Sequence, residues 1–142
     1  NLYREQEQYS SALINFDRAI SLGTSDPRAF HNRGLVYQTQ NRHDQAIDDF
    51  TTSISLAPRA SAPYNGRGAS YLALNNPKAA LLDFDEALKR DPESFTAWTN
   101  RGFAQEQLGE FKNANTSYTR ALTFKRSHQP AIDGRKRTAG RT

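Results

Sequence analysis

The residues of this chain that could do chemistry are three histidines, two aspartate clusters and a set of arginines. His31, His43 and His128 stand in different segments, and no two are four apart, the spacing that places a metal-ligand pair on one helical face. They read as surface side chains. Asp48–Asp49 and Asp83–Asp85 would suit general acid–base work if they occurred once. Asp49 and Asp83 instead hold the same place in successive units of a repeat, which ties them to the architecture and not to a single active site. Gly66-Arg67-Gly68 resembles a phosphate loop only in composition, because no strand signal precedes it. No Ser-His-Asp or lysine constellation is present. With no cysteine there is no thiolate nucleophile, disulfide or cysteine-bound metal. The sequence predicts no catalytic residue, no cofactor and no metal.

The elements that position these residues must come from 142 residues, enough for one domain. Hydrophobic residues make up only 36% of the chain and mean hydropathy is −0.83, a thin supply for one compact core. Aromatics at 11% are nevertheless too many for a disordered chain. Together these suit an elongated fold. No stretch approaches the roughly 20 apolar residues that cross a bilayer. The net charge of +4 is local: residues 125–142 hold six cations against Asp133 alone, while residues 1–124 carry 13 basic and 14 acidic residues. A nucleic-acid or lipid reading therefore rests on the tail. The chain starts at Asn1 and has no methionine, so it is expected to be a processed or trimmed piece of a longer product.

An internal repeat dominates the sequence. Gly34, Gly68 and Gly102 fall at equal intervals, each preceded by an arginine: Arg33, Arg67, Arg101. Four residues before each glycine stands an aromatic: Phe30, Tyr64, Trp98. Twelve residues after each stands an alanine (Ala46, Ala80, Ala114), and four further on another aromatic (Phe50, Phe84, Tyr118). The same pattern shifted back gives Ala12 and Phe16, and Pro58 and Pro92 close two of the units.

Each unit reads as two helices. Phe30, Gly34 and Tyr37 share one helical face, and Ala46, Phe50 and Ile54 share another. Asn41, Asn75 and Gly109 mark the turns between them, since Asn and Gly tolerate the left-handed backbone. Asp26–Pro27 and Asn76–Pro77 mark helix starts. The pattern predicts helices near 28–40, 44–56, 61–74, 77–90, 95–108 and 111–124, a second helix at 9–22 and a stub at 1–6. Glycine and alanine lie where paired helices cross, and the aromatics fill the space beside them. Arg33 precedes Asp49 by the same interval as Arg67 precedes Asp83, which sets each pair across a hairpin. The fourth unit offers Ser117 in place of the acid, so Arg101 is expected to be free for a ligand.

These columns resemble the tetratricopeptide repeat family, whose units carry this aromatic, glycine, tyrosine, alanine, phenylalanine and proline pattern. The match runs from residue 1 to about 126, with repeats at 1–26 (partial), 27–60, 61–94 and 95–126, and a capping helix and basic tail at 127–142. Arginine replaces the family's usual leucine at 33, 67 and 101; Gln105 replaces a tyrosine, and Arg126 the closing proline. The resemblance implies an all-α, right-handed solenoid of antiparallel helix pairs. Gly134 and Gly140 suggest that the capping helix frays after a turn or two.

The resemblance also implies a non-catalytic scaffold that holds a peptide or helical segment of another protein on the face lined by each repeat's first helix. Carried over by position, that face holds Arg28, His31, Asn32, Leu35 and Gln38, then Ala62, Asn65, Gly66, Ala69 and Leu72, then Thr96, Thr99, Asn100, Phe103 and Glu106. The surface is neutral, with Leu35, Leu72 and Phe103 as apolar anchors and Asn side chains able to bond a peptide backbone. One branch of the family grips chaperone C-terminal carboxylates with lysines, asparagines and an arginine. The five corresponding places here are His31, Leu35, Gly66, Thr99 and Phe103, and a shift of one repeat gives Asn1, Asn32, Asn65 and Ala69. Neither set holds a cation, so no chaperone-tail carboxylate is expected as a ligand.

Two other readings stand beside the scaffold: nucleic-acid or anionic-surface binding through the tail, and a regulatory segment of a larger enzyme. The tail, with no aromatic after Phe124 to stack a base, reads better as a solubilising cap than as an RNA anchor. Apolar surface of residues 9–22, Leu13 and Phe16 included, is expected to be covered by further repeats or by self-association at the amino-terminal end. Fourteen arginines against five lysines, and the Asn-Arg-Gly and Asp-Phe pairs, resemble bacterial members of the family, many of them exported.

Overall fold

A computed structural model describes residues 2–142, and their regular structure is entirely helical. The chain divides into two compact units, one ending at Arg59 and one beginning at Ala60. The first holds α1 (Leu2–Ser21), α2 (Pro27–Thr39) and α3 (His43–Leu56). The second holds α4 (Ala62–Ala73), α5 (Pro77–Arg90), α6 (Phe95–Gln107), α7 (Phe111–Phe124) and α8 (Gln129–Thr138). Helices α2 and α3, α4 and α5, and α6 and α7 form hairpins, and α4 and α8 each lie against α6.

Local chemistry sets these boundaries. The Asp26 carboxylate accepts from the Arg28 N–H at 2.9 Å ahead of Pro27, and the Ser94 hydroxyl accepts from the Ala97 N–H at 3.2 Å. Asn41, Asn75 and Gly109 turn the chain with φ of 61°, 64° and 79°. The expected stub and second helix at the amino terminus are instead one helix of 20 residues. Glu7 occupies the column of Asn41 and Asn75, and glutamate has little tolerance for the left-handed backbone that would break the helix there. Leu13 and Phe16 are half-buried, while Leu2, Tyr3, Ile14 and Leu22 are the large apolar side chains that this region exposes.

The glycine column works by contact. A Cβ on Gly68 would stand 2.6 Å from the Phe84 ring, and one on Gly34 2.9 Å from Phe50. Both rings are fully buried. In the second unit Tyr118 lies between two such glycines, Gly102 on α6 and Gly134 on α8. Gly134, expected to begin the fraying, thus sits inside α8 and lets it close on the ring. Ala80, Phe84 and Ala104 form one buried cluster, and Ala114, Tyr118, Ala121 and Ala131 another.

Two of the hairpins, α2–α3 and α4–α5, are also tied by hydroxyls. The Ser53 hydroxyl donates to the Pro27 carbonyl at 2.9 Å, and the Ser61 hydroxyl donates to the Ala87 carbonyl at 2.9 Å.

Candidate functional site

Arg33, Arg67 and Arg101 are all engaged within the fold. Arg33 donates from Nε and Nη2 to both oxygens of Asp49, each at 2.7 Å, and from Nη1 to Asp17 at 2.8 Å. Arg67 makes the same fork to Asp83, at 2.9 and 2.8 Å. Asp49 and Asp83 are each only 4% exposed, so their charges depend on these partners. The bonds donated to the carboxylates, chiefly by Arg33 to Asp49 and by Arg67 to Asp83, raise the pKa of both guanidiniums.

Arg101 is not free, contrary to the sequence reading. It donates from Nε to Asp85 at 2.7 Å and from Nη1 to the Ser117 hydroxyl at 3.0 Å. The acid comes from the second helix that precedes the arginine, α5, as Asp17 on α1 does for Arg33. A search for partners forward along the chain does not find it. Gln105, standing in the tyrosine column, is 3% exposed and hydrogen-bonds Ser117, so the two departures in this hairpin answer each other.

In the unit that ends at Arg59, the α2 residues expected on the binding face differ in availability. Asn32 and Leu35 are exposed, and Gln38 is half-buried. Arg28 is engaged by Asp26 at 2.9 Å. His31 turns its ring to Phe50, with centroids 5.4 Å apart, and its Nδ1 is buried without a hydrogen-bond partner. Burial lowers its pKa. The unfolded chain, with the ring near its ordinary value of about 6.5, then binds the proton more readily than the folded one. Stability from this group is complete above that value and is lost as pH falls from it through the folded pKa. Between about pH 7.5 and about pH 5.5, the melting temperature should therefore fall less for His31→Gln than for the unaltered chain. Equal shifts in the two proteins would defeat the assignment.

In the unit from Ala60, α4 and α6 present a shared face. Asn65, Ala69 and Leu72 follow each other at helical spacing on α4, and Thr96, Asn100, Phe103 and Gln107 do so on α6. Asn100 Nδ2 donates to Asn65 Oδ1 at 3.1 Å, and Asn65 Nδ2 donates to the Thr96 hydroxyl at 3.5 Å. A cavity of about 380 Å³ lies further along the two helices, lined by Leu72 and Ala73 of α4 and by Phe103, Glu106 and Gln107 of α6. Ala62 is exposed at the start of α4, and Gly66 is buried.

Two expected residues are otherwise engaged. Thr99 is 2% exposed and its hydroxyl donates to the Phe95 carbonyl at 2.7 Å; the helical turn of about 100° per residue puts it under the face that Asn100 occupies. Glu106 accepts from Arg137 Nη2 at 2.9 Å and from the Tyr118 hydroxyl. Burial pushes its pKa up, but those bonds and the Arg137 charge outweigh it and hold the carboxyl below its usual range. Tyr118 is shifted well up, first by burial and then by its bond to Glu106. The carboxylate in the cavity is thus neutralised by α8, whose Arg137 also stands 5.8 Å over the Phe103 ring. Nothing in the sequence pattern signals this contact, because it depends on where α8 lands.

Tetratricopeptide repeat models match residues 1–41, 27–59 and 65–130, and the chain belongs to the tetratricopeptide repeat family. The solved structure of MamA is similar over 95% of this chain and 79% of that one, with a TM-score of 0.86 at 15% identity. The first tetratricopeptide domain of Spaghetti (RPAP3), bound to the HSP90 peptide SRMEEVD, is similar over 80% of this chain and 90% of that one, with a TM-score of 0.79 at 22% identity. The TPR2B domain of yeast Sti1, in complex with Hsp70, is similar over 82% and 98%, with a TM-score of 0.78 at 20% identity. At these identities the likeness speaks for the fold. No curated protein matches the chain in sequence. No helix among the described residues is long and apolar enough to cross a membrane.

Proposed function

We propose that this chain is a non-catalytic scaffold and that its α4–α6 face holds a peptide segment of a partner protein. The observation that carries the reading is the cavity between Leu72 and Phe103, with the Asn65–Asn100 pair on the same face. An apolar side chain of the ligand enters the cavity. Asn100 uses one N–H on Asn65 and keeps its carbonyl oxygen and second N–H for the ligand's backbone. The small side chain of Ala69 leaves room for the ligand chain to pass between the two helices. The two tetratricopeptide domains of RPAP3 are solved with HSP90 and HSP70 peptides, which supports a protein ligand of this general kind.

The ligand is neutral or apolar where it meets this face, not a C-terminal carboxylate. Gly66 and Phe103 offer a carboxylate no side-chain donor, and Thr99 is buried. Peptides selected from a random display library against the chain should bind Phe103→Ala and Asn100→Ala about tenfold more weakly, roughly 1.4 kcal/mol each. The peptide SRMEEVD should show no micromolar binding that amidation of its C-terminus abolishes. Selected peptides indifferent to both substitutions would defeat the face; amidation-sensitive binding of SRMEEVD would defeat the ligand class.

A further inference from the structure

A second cavity, of about 980 Å³, opens between α7 and α8, and the α4–α6 reading does not use it. Its rim carries Lys112 from α7 and Arg135, Lys136 and Arg141 from α8 and beyond. Leu122 and Ile132 supply apolar lining, and no Asp or Glu lines it. None of the four cations forms an ion pair among the described residues. Asn115 Nδ2 donates to Thr138 Oγ1 at 3.0 Å and to the Arg135 carbonyl at 3.3 Å, fixing the last turn of α8 to α7. The Arg141 guanidinium lies 3.8 Å from the Phe111 ring centroid, which holds it at the rim.

The repeat columns say what this space is. Ala131 stands one repeat after Ala97, Ile132 after Trp98, and Arg135 after Arg101, so α8 has the register of a repeat's first helix. In α2, α4 and α6 the face that includes the columns of Ile132 and Lys136 receives the second helix of the hairpin: there stand Gly34, Gly68 and Gly102, against Phe50, Phe84 and Tyr118. On α8 that face lines the cavity instead. Arg33, Arg67 and Arg101 each bind a carboxylate, at Asp49, Asp83 and Asp85. Arg135 is the fourth member of the column, and Thr119 stands on α7 where Asp85 stands on α5.

We propose that the α7–α8 cavity docks an acidic amphipathic helix of a partner protein, lying where a hairpin's second helix would lie, with a carboxylate on Arg135. Its apolar stripe covers Leu122 and Ile132, and its remaining acids face Lys112, Lys136 and Arg141. Lys136 fills the glycine column, so the occupant cannot press a ring against α8 there as Phe84 presses on Gly68. Nucleic acid fits less well: no aromatic residue lines the cavity, and the Phe111 ring next to Lys112 is covered by Arg141, which leaves no stacking platform.

The test is fluorescence anisotropy with a labelled peptide of about five helical turns, blocked at both ends, with leucine at every third or fourth position and glutamate between. Micromolar binding is expected. Arg135→Glu with Lys136→Glu should weaken it at least tenfold, as should replacing the glutamates by glutamine or the leucines by serine. Lys78→Glu with Lys89→Glu on α5 should leave it unchanged. No binding up to millimolar peptide, equal binding by the Arg135/Lys136 double variant, or equal binding of the serine peptide would overturn the proposal. So would an oligouridine that binds more tightly than the peptide, sedimentation showing a second copy of the chain on this face, or a helix of the same protein, encoded after Thr142, that covers it.

Discussion

Gly68→Leu is expected to destabilise the unit from Ala60 onward by about 3 kcal/mol, the upper end of the usual cost of overpacking. The new Cβ alone would stand 2.6 Å from the Phe84 ring, and leucine adds three carbons beyond it. Phe84 is fully buried within the cluster of Ala80 and Ala104, so the ring has nowhere to retreat without separating α4 from α5. Leucine's better helix propensity returns about 1 kcal/mol. Alanine gains as much from propensity and meets the same first clash with less bulk, so Gly68→Ala should cost clearly less. Urea unfolding followed by circular dichroism measures both. A midpoint unchanged by leucine would show that the close approach of α4 to α5 is not a stability determinant.

Asp83→Ala is expected to cost a comparable amount, about 3 kcal/mol, for a different reason. The carboxylate is 4% exposed and takes two hydrogen bonds from one guanidinium. Removing it takes from the half-buried Arg67 guanidinium the carboxylate that it grips through two nitrogens. Ser117→Ala, at the equivalent place two helices on, should cost only about 1 kcal/mol, because Asp85 still holds Arg101 there. Equal losses from the two substitutions would mean that the arginine column is held by packing and not by its acids.

Much of this architecture is legible in the residues because a repeat states each rule several times. Asn41, Asn75 and Gly109 announce the turns, and Glu7 in the same column equally announces that α1 runs on, once it is read as a residue that disfavours the left-handed backbone of the turn. Arg101 escapes a search in one direction, because an arginine between two second helices meets partners from both, Asp85 before it and Ser117 after it. The proposed α4–α6 face is legible only in part: carrying positions over in a block places Thr99 beside Asn100, while helical rotation sends the first inward and leaves the second on the surface. The pairing of Glu106 with Arg137 and the α7–α8 cavity are not legible at all. Both are created by the landing of α8, which depends on Gly134 meeting the Tyr118 ring, a contact between segments that no local pattern encodes.

The two serine bonds bear on how such a protein can change over generations. Ser53 bonds the carbonyl of Pro27 from the second helix of one hairpin; Ser61, one repeat on from Pro27, bonds the carbonyl of Ala87, one repeat on from Ser53. The same bridge is built from opposite ends. A backbone carbonyl is present whatever the side chain, so an intermediate with serine at both positions keeps a bridge throughout and either serine can then drift away. The α6–α7 hairpin, with Phe95 and Ala121 in these columns, has no such hydroxyl, and Phe95 packs against His128. Copies of one ancestral hairpin can thus diverge at both columns while two of them retain the bond, so the heritable quantity is the contact and not the residue.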